Sequence, residues 1–225
     1  MQFRYQLRYV LIRILLCSHA DADAFCINGQ VEIDGKTETN SRRIVGDSEE
    51  IKLNSLVIRN GIDLMYVAFY KPNLYECTTN RAVENNIYEL LPAEYQDLFS
   101  LGRLDKNSEG LLLLTNDGQI YRTMMHVDAE VEKEYRVHTH FPISTGLEKS
   151  FSEPFLLGQR YTLPARFEKV DDFCFKVVLK EGINRHIRRI CAKNENQVKQ
   201  LVRIRFGDQK LEYLSPGECR KLTGL

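Results

Sequence analysis

The sequence lacks net charge. Its 31 Lys and Arg balance 31 Asp and Glu over 225 residues. That excludes a protein held to nucleic acid by bulk charge alone, while leaving a local basic surface open. No apolar run approaches the roughly 18 residues that a membrane span needs. No two of the six cysteines (17, 26, 77, 174, 191 and 219) are spaced Cys-x-x-Cys, and the five histidines do not cluster with them. A zinc site is therefore not expected. Scattered cysteines in an ordinary soluble composition read as free thiols of a reducing cytosol, not as a disulfide framework. There is no internal repeat, no low-complexity tract and no phosphate-loop motif. Tryptophan is also absent, which decides nothing.

The N-terminus mimics an export signal. Arg4 and Arg8 precede an apolar stretch, "YVLIRILLC", followed by "SHADADA". Arg13 interrupts that stretch, and the chain runs straight on into turn chemistry, so the segment reads as a helix and not as a leader. Apolar residues at 7, 10, 11, 14 and 15 predict a helix over 4–16. Ser18 predicts the N-cap of a second helix, from about 19 to 28, stopping at Gly29. "QVEIDGKT" carries the Asp-Gly hairpin signal, and "SEEIKLN" reads as a strand. These pieces make a small α+β module over 1–54, with residues 55–63 as a linker and a larger domain over 64–225.

In the larger part, "LMYVAFYKP" and "LLLLT" read as buried strands and "NIYELLP" as a short helix. "QIYRTMMH" and "STGLEKSF" read as helices, the latter capped by Ser144 or Thr145. "KEYRVHTH", "RYTLPARFEKV" and "DFCFKVVLKEG" read as strands. "INRHIRRICAKN" reads as a basic helix, and "QVKQLVRIRFGDQKLEYL" returns as strands. Hairpin turns are frequent, so a mainly antiparallel α+β domain is expected over a doubly wound sheet. Charge is segregated along the chain. From 185 to 205 there are seven cations (185, 188, 189, 193, 199, 203, 205) against one acid, Glu195.

"GRLDKNSEGLLLLTNDG" places Arg103 and Asp105 at the mouth of a core strand. A carboxylate beside apolar walls stays charged only if cations or donors face it. Asp105 is thus either a turn cap or a reactive group. Glu109, four residues on, opens a two-carboxylate glycosidase reading, though loop spacing does not establish the geometry. Tyr135 in "EKEYRV" shares a face with Val137 and is either packed core or a ring for a base to stack on. Arg185, Arg188 and Arg189 fall on one face of a helix, with Ile187, Ile190 and Cys191 on the apolar side. Three guanidinium groups with no acid at i+4 suit phosphate.

Together, "GRLDKNSEGLLLLTNDG", "VEKEYRV" and "LKEGINRHIRRI" resemble, in order and spacing, the motifs of RNA pseudouridine synthases of the RsuA/RluB/RluE/RluF type. "YKP" and the ending "RIRFGD...LSPGECRKL" fit as well, and the resemblance covers about residues 64–222. The first 54 residues resemble the small RNA-binding domain of ribosomal small-subunit protein four. The resemblance implies isomerisation of uridine to pseudouridine in RNA, without metal, nucleotide or redox cofactor. Asp105 would be the catalytic aspartate, Tyr135 the ring that stacks on the target base, and Arg188 the cation that pairs with Asp105. Arg103 would hold the place of the flipped-out nucleotide, and Ile187 would line the pocket, with Arg185 and Arg189 toward the RNA. A cytoplasmic monomer acting on ribosomal RNA is expected, with the ending favouring the large subunit. Transfer RNA, and a non-catalytic RNA-binding protein on the same scaffold, remain open. Two departures stand out. "Gly-Ile-Asn-Arg" replaces the usual Gly-Arg-Asn-Arg, and the front module has Asp21 and Asp23 where an arginine pair is usual. The second weakens its expected hold on phosphate.

Overall fold

The computed structural model describes residues 5–46, 48–59, 64–126 and 129–225. The chain divides into two compact units, Met1–Leu64 with Asp117–Gln119, and Met65–Asn116 with Ile120–Leu225.

The first unit contains β1 (Tyr5–Gln6), α1 (Leu7–Leu15), α2 (His19–Ile27), β2 (Val31–Ile33), β3 (Lys36–Thr37), β4 (Ile44–Val45), β5 (Ile51–Leu53) and β6 (Leu56–Arg59). Leu7, Val10 and Leu11 of α1 pack on Ala22 and Cys26 of α2 and on Val31, Ile33 and Ile51 of the sheet β3-β2-β5-β6. The β2–β3 hairpin turns at Asp34 and Gly35, both at positive φ (48° and 74°), as the Asp-Gly signal requires. Ser18 caps α2 reciprocally with Asp21: Ser18 Oγ accepts from the Asp21 amide, and Asp21 Oδ2 accepts from the Ser18 amide at 3.0 Å. Asp23 accepts from Ser41 Oγ and from the Arg8 guanidinium, so it ties α2 to α1 and to the 40–43 turn. The two acids that depart from the usual pattern thus have jobs in the fold. The span expected as linker differs from its reading. Residues 56–59 form β6, antiparallel to β5, and 60–63 lie outside the described residues.

The second unit is built on one mixed sheet of order β13-β14-β10-β15-β9-β7-β17. Its strands are β7 (Tyr66–Lys71), β8 (Phe99–Leu101), β9 (Glu109–Thr115), β10 (Lys133–Thr139), β13 (Arg166–Lys169), β14 (Cys174–Leu179), β15 (Val198–Phe206), β16 (Gln209–Lys210) and β17 (Cys219–Leu222). A small hairpin, β11 (Leu156–Leu157) with β12 (Arg160–Tyr161), stands apart from it. The helices are α3 (Gly118–Met125), α4 (Thr145–Ser152) and α5 (His186–Lys193). Among the described residues every strand pairing of this sheet is antiparallel except β9 with β15. The architecture is therefore the expected α+β with a mainly antiparallel sheet. Among the described residues no helix is long and apolar enough to cross a membrane. The six cysteines are free thiols.

The consecutive leucines of β9 bury both faces. Leu112 and Leu114 join Val67 and Phe69 on one side, while Leu111 and Leu113 join Ala68, Leu101 and Val202 on the other. A strand buried on two faces needs no alternation of polar residues, which is why the run is continuous. A third cluster lies under α4 and α5, against β10 and β14. Two readings change. The segment "RYTLPARFEKV" is two strands, β12 and β13, because Pro164 has no amide to donate to a ladder. The short helix at 87 is a single 3-10 turn, Ile87–Glu89.

Gly110 fixes the spacing of the sheet beside the turn that carries Asp105. It stands at φ 106° opposite Arg203 in the parallel pair, and a Cβ there would lie 2.4 Å from the Arg203 carbonyl oxygen. No side-chain rotation relieves a backbone collision. Gly110→Ala is expected to cost on the order of 3 kcal/mol or more of stability. Denaturant unfolding checks this, and a wild-type midpoint would refute the close approach.

Candidate active site

The site grows from the turn between β8 and β9. Phe99–Leu101 pairs with Leu113–Thr115, and residues 102–108 bridge the two strands. Within that bridge the Ser108 amide donates to the Asp105 carbonyl at 3.0 Å. Leu104 is buried, so the turn is anchored on its apolar side. The Asp105 carboxylate is one-third exposed (33%). It accepts no hydrogen bond among the described residues.

Two cations hold the turn by its backbone. Lys71, at the end of β7, is fully buried (0% exposed). Its Nζ donates to the carbonyls of Ser108 (2.6 Å), Pro72 (3.0 Å) and Lys106 (3.3 Å). Burial pushes its ammonium down to about 8, opposed by the nearby Cys77, Glu109 and Asp105. Arg188 of α5 donates through Nη2 to the Asn107 carbonyl and through Nη1 to the Val198 carbonyl at 3.3 Å. Three successive carbonyls, 106 to 108, thus meet two cations. The role of Lys71 was not read from the sequence. The signal available was a lysine closing an otherwise apolar strand immediately before a proline.

Arg188 does not make the expected pair. The ion pair of Asp105 among the described residues is with Arg185, Nη1 to Oδ2 at 4.0 Å. The reason is local. Arg185 precedes α5 in the left-handed conformation (φ 50°), so it leaves the helix face it was expected to share. Arg188 instead spends its guanidinium on backbone carbonyls, and its Nε is buried without a partner among the described residues. Burial and then the Arg185 charge push Arg188 below its ordinary value, while Asp105 acts in the opposite sense. Arg189 takes a third direction, its Nη2 lying against Gly158 of the β11–β12 turn. The three arginines therefore do not form one phosphate-facing row.

Tyr135 lies on β10 opposite Arg203, at a register shift between Glu134 and Tyr135. Gly110 lies opposite Arg203 from the other side. The Tyr135 and Gly110 backbones are thus two strand spacings apart, about 10 Å. Tyr135 is half-buried and packs on the cluster that contains Ile187, Val177 and Leu179. Ile187 itself is buried core. Arg103 is exposed and has no hydrogen bond or ion pair among the described residues. Glu109 accepts from Gln200 Nε2 at 2.6 Å, so the second carboxylate is engaged elsewhere. Arg203, counted in the sequence among the cations of 185–205, is a further buried cation whose role was not read there. Its Nε donates to the Leu111 carbonyl at 2.7 Å and its guanidinium lies 4.9 Å from the Phe206 ring centre. Among the described residues no group of three or more His, Cys, Asp or Glu is placed to hold a metal ion.

The sequence pattern of the family described as RNA pseudouridylate synthase matches residues 65–193. The chain is 32% identical to the dual-specificity RNA pseudouridine synthase RluF of Escherichia coli K12, over 92% of this chain and 72% of that protein. It is 28% identical to an uncharacterised RNA pseudouridine synthase of Rickettsia typhi, over 97% of this chain and 92% of that one. Among solved structures, a crystal structure of a pseudouridylate synthase aligns with TM-score 0.69 and 26% identity, covering 97% of this chain and 96% of that one.

Two titrations follow from the geometry. Lys71→Met leaves the carbonyls of 106 and 108 without their cation and is expected to cost about 2–4 kcal/mol. Lys71 loses its proton at about 8 in the folded chain but near 10.5 when unfolded. Between those values the unfolded chain holds more protons, so wild-type stability should gain on Lys71→Met as pH rises from 8 to 10. Urea unfolding at several pH values checks both size and sign. His186 is buried with neither ring nitrogen hydrogen-bonded, and burial, then Arg160 and Arg189, pull it down to about 4. Its neutral form stabilises the fold above about 6.5, and that contribution is lost as pH falls toward 4. His186→Phe should flatten this acid limb in thermal melts.

Proposed function

The chain belongs to the RNA pseudouridylate synthase family and isomerises uridine to pseudouridine in RNA; we propose that its target is ribosomal RNA, of the large subunit, and that Asp105 acts on the flipped-out nucleotide. The observation that carries the residue assignment is the Asp105 turn itself. Its backbone is clamped by Lys71 and Arg188, while its carboxylate is left uncommitted beside Arg185.

The reaction moves one bond. The link from ribose to the base nitrogen breaks, the uracil turns within the site, and a ring carbon bonds to the ribose in the nitrogen's place; that carbon gives up its proton and the freed nitrogen gains one. No atom is gained or lost, so the protein's task is to expose the nucleotide, hold the freed base and exclude water. Asp105 supplies the negative group at the ribose side. Arg185 stands beside that carboxylate, Nη1 to Oδ2 at 4.0 Å, and Arg188 holds the turn that carries it. Tyr135, backed by the apolar cluster that includes Ile187, offers a face for the base. Arg103, exposed at the edge of the turn, reaches the RNA around the vacated position. A looped or single-stranded uridine fits this arrangement best, because its base is already free to leave the stack.

The ending "RIRFGDQKLEYLSPGECRKL" supports the large-subunit reading, since it resembles that branch. The Escherichia coli relative is named a dual-specificity enzyme, and this favours testing transfer RNA as a second substrate. A monomer working in the cytoplasm belongs to the same proposal. Asp105→Asn should keep the wild-type melt and RNA binding yet form no pseudouridine on unmodified ribosomal or transfer RNA, read as a mass shift after chemical labelling. Full conversion by that variant would overturn the role of Asp105. Comparing pseudouridine maps from cells with and without the gene identifies the target RNA.

A further inference from the structure

The β11–β12 hairpin places unusual groups together on the same unit as the Asp105 turn. It is only two residues per strand, with Leu156 opposite Tyr161 and Leu157 opposite Arg160. Leu157 is buried and roots it, but Tyr161 is 68% exposed, and Leu156 and Leu163 are half exposed beside it. Water-facing apolar side chains on a short, arginine-bearing hairpin contribute little to the core that would explain them.

The charges are unusual as well. Arg189 of α5 lays its Nη2 against the hairpin turn at Gly158, two residues from Arg160. Neither arginine makes a hydrogen bond or an ion pair among the described residues. The acid of this region, Glu181, accepts from the Leu163 amide at 2.9 Å and faces His186 at 3.9 Å. His186 adds no positive charge here, because it is buried and neutral at ordinary pH. Both guanidinium charges bear on His186, so the two groups lie in one region with no carboxylate bonded to either among the described residues, and an anion between them is favoured. Their fork geometry suits a phosphate.

We propose that this hairpin is a second RNA contact, in which Arg160 and Arg189 hold a backbone phosphate and Tyr161 stacks on an adjoining unpaired base. The pairing of a basic pair with an exposed ring is the chemistry by which single strands are gripped without reading sequence. It rests on the RNA-modifying function above and extends it to the strand outside the reacting nucleotide. Leu156 and Leu163 flank the ring and keep the stacked base dry on its far side.

The test is filter binding of the full-length protein to an unmodified transcript of large-subunit ribosomal RNA, across a salt series. Arg160→Ala is expected to weaken binding about tenfold and to lower the slope of log affinity against log salt by about 1. Tyr161→Ala is expected to weaken binding by between about fivefold and a hundredfold with the slope unchanged. Both positions are exposed, and wild-type thermal melts establish that the variants are folded. Wild-type affinity in both variants, or an unchanged slope in Arg160→Ala, would overturn the contact. The catalytic reading fails separately. Wild-type protein that grips this RNA through Arg160 and Tyr161 but forms no pseudouridine in any RNA supports the contact and sinks the synthase assignment.

Discussion

Two cations on three successive carbonyls organise this protein's chemistry. A turn as tight as 102–108 cannot satisfy its own carbonyls, and a buried carbonyl without a donor is costly. Lys71 and Arg188 answer that need with charge-assisted bonds, which are stronger than neutral ones. Both cations hold the turn through its backbone. An aspartate fixed through its carboxyl oxygens would be precise but spent. Here the main chain is fixed and the Asp105 carboxylate stays available.

The same economy shapes α5. Arg185, Arg188 and Arg189 lie within five residues but point to three places: Asp105, the carbonyls of 107 and 198, and the β11–β12 turn. A left-handed residue before the helix makes this division possible, at a conformational cost of about 1 kcal/mol for a residue with a Cβ. Had Arg185 begun the helix, its side chain would have stood one turn below Arg188 and Arg189, where like charges destabilise one another.

The sheet was legible because its signals are local or periodic. Continuous leucines mark a strand buried on both faces, an Asp-Gly pair marks a tight hairpin, and Ser18 marks a cap. Pro164 was equally local, yet its division of one apparent strand into β12 and β13 went unread. The candidate site was legible only as a set of residues. Which cation faces Asp105 depends on the φ of Arg185, and no spacing rule encodes a left-handed arginine. The clamp by Lys71 joins residues 35 and 37 positions apart, so sequence showed the lysine but not what it holds.

Zero net charge still has to be reconciled with an RNA substrate, and location does it. In the front unit Arg8 pairs with Asp23, Arg43 with Glu38 and Glu49, and Arg59 donates to the carbonyls of Gly46 and Glu49. Those guanidinium groups are committed to the fold. In the larger unit Arg103, Arg160 and Arg189 lack partners among the described residues, and Arg185 meets Asp105 only at 4.0 Å. Phosphate affinity follows the cations that are free to release their counterions, not the sum over the chain. A neutral protein can therefore still grip RNA, and Arg103, Arg160 and Arg189 supply such cations on the unit that carries Asp105.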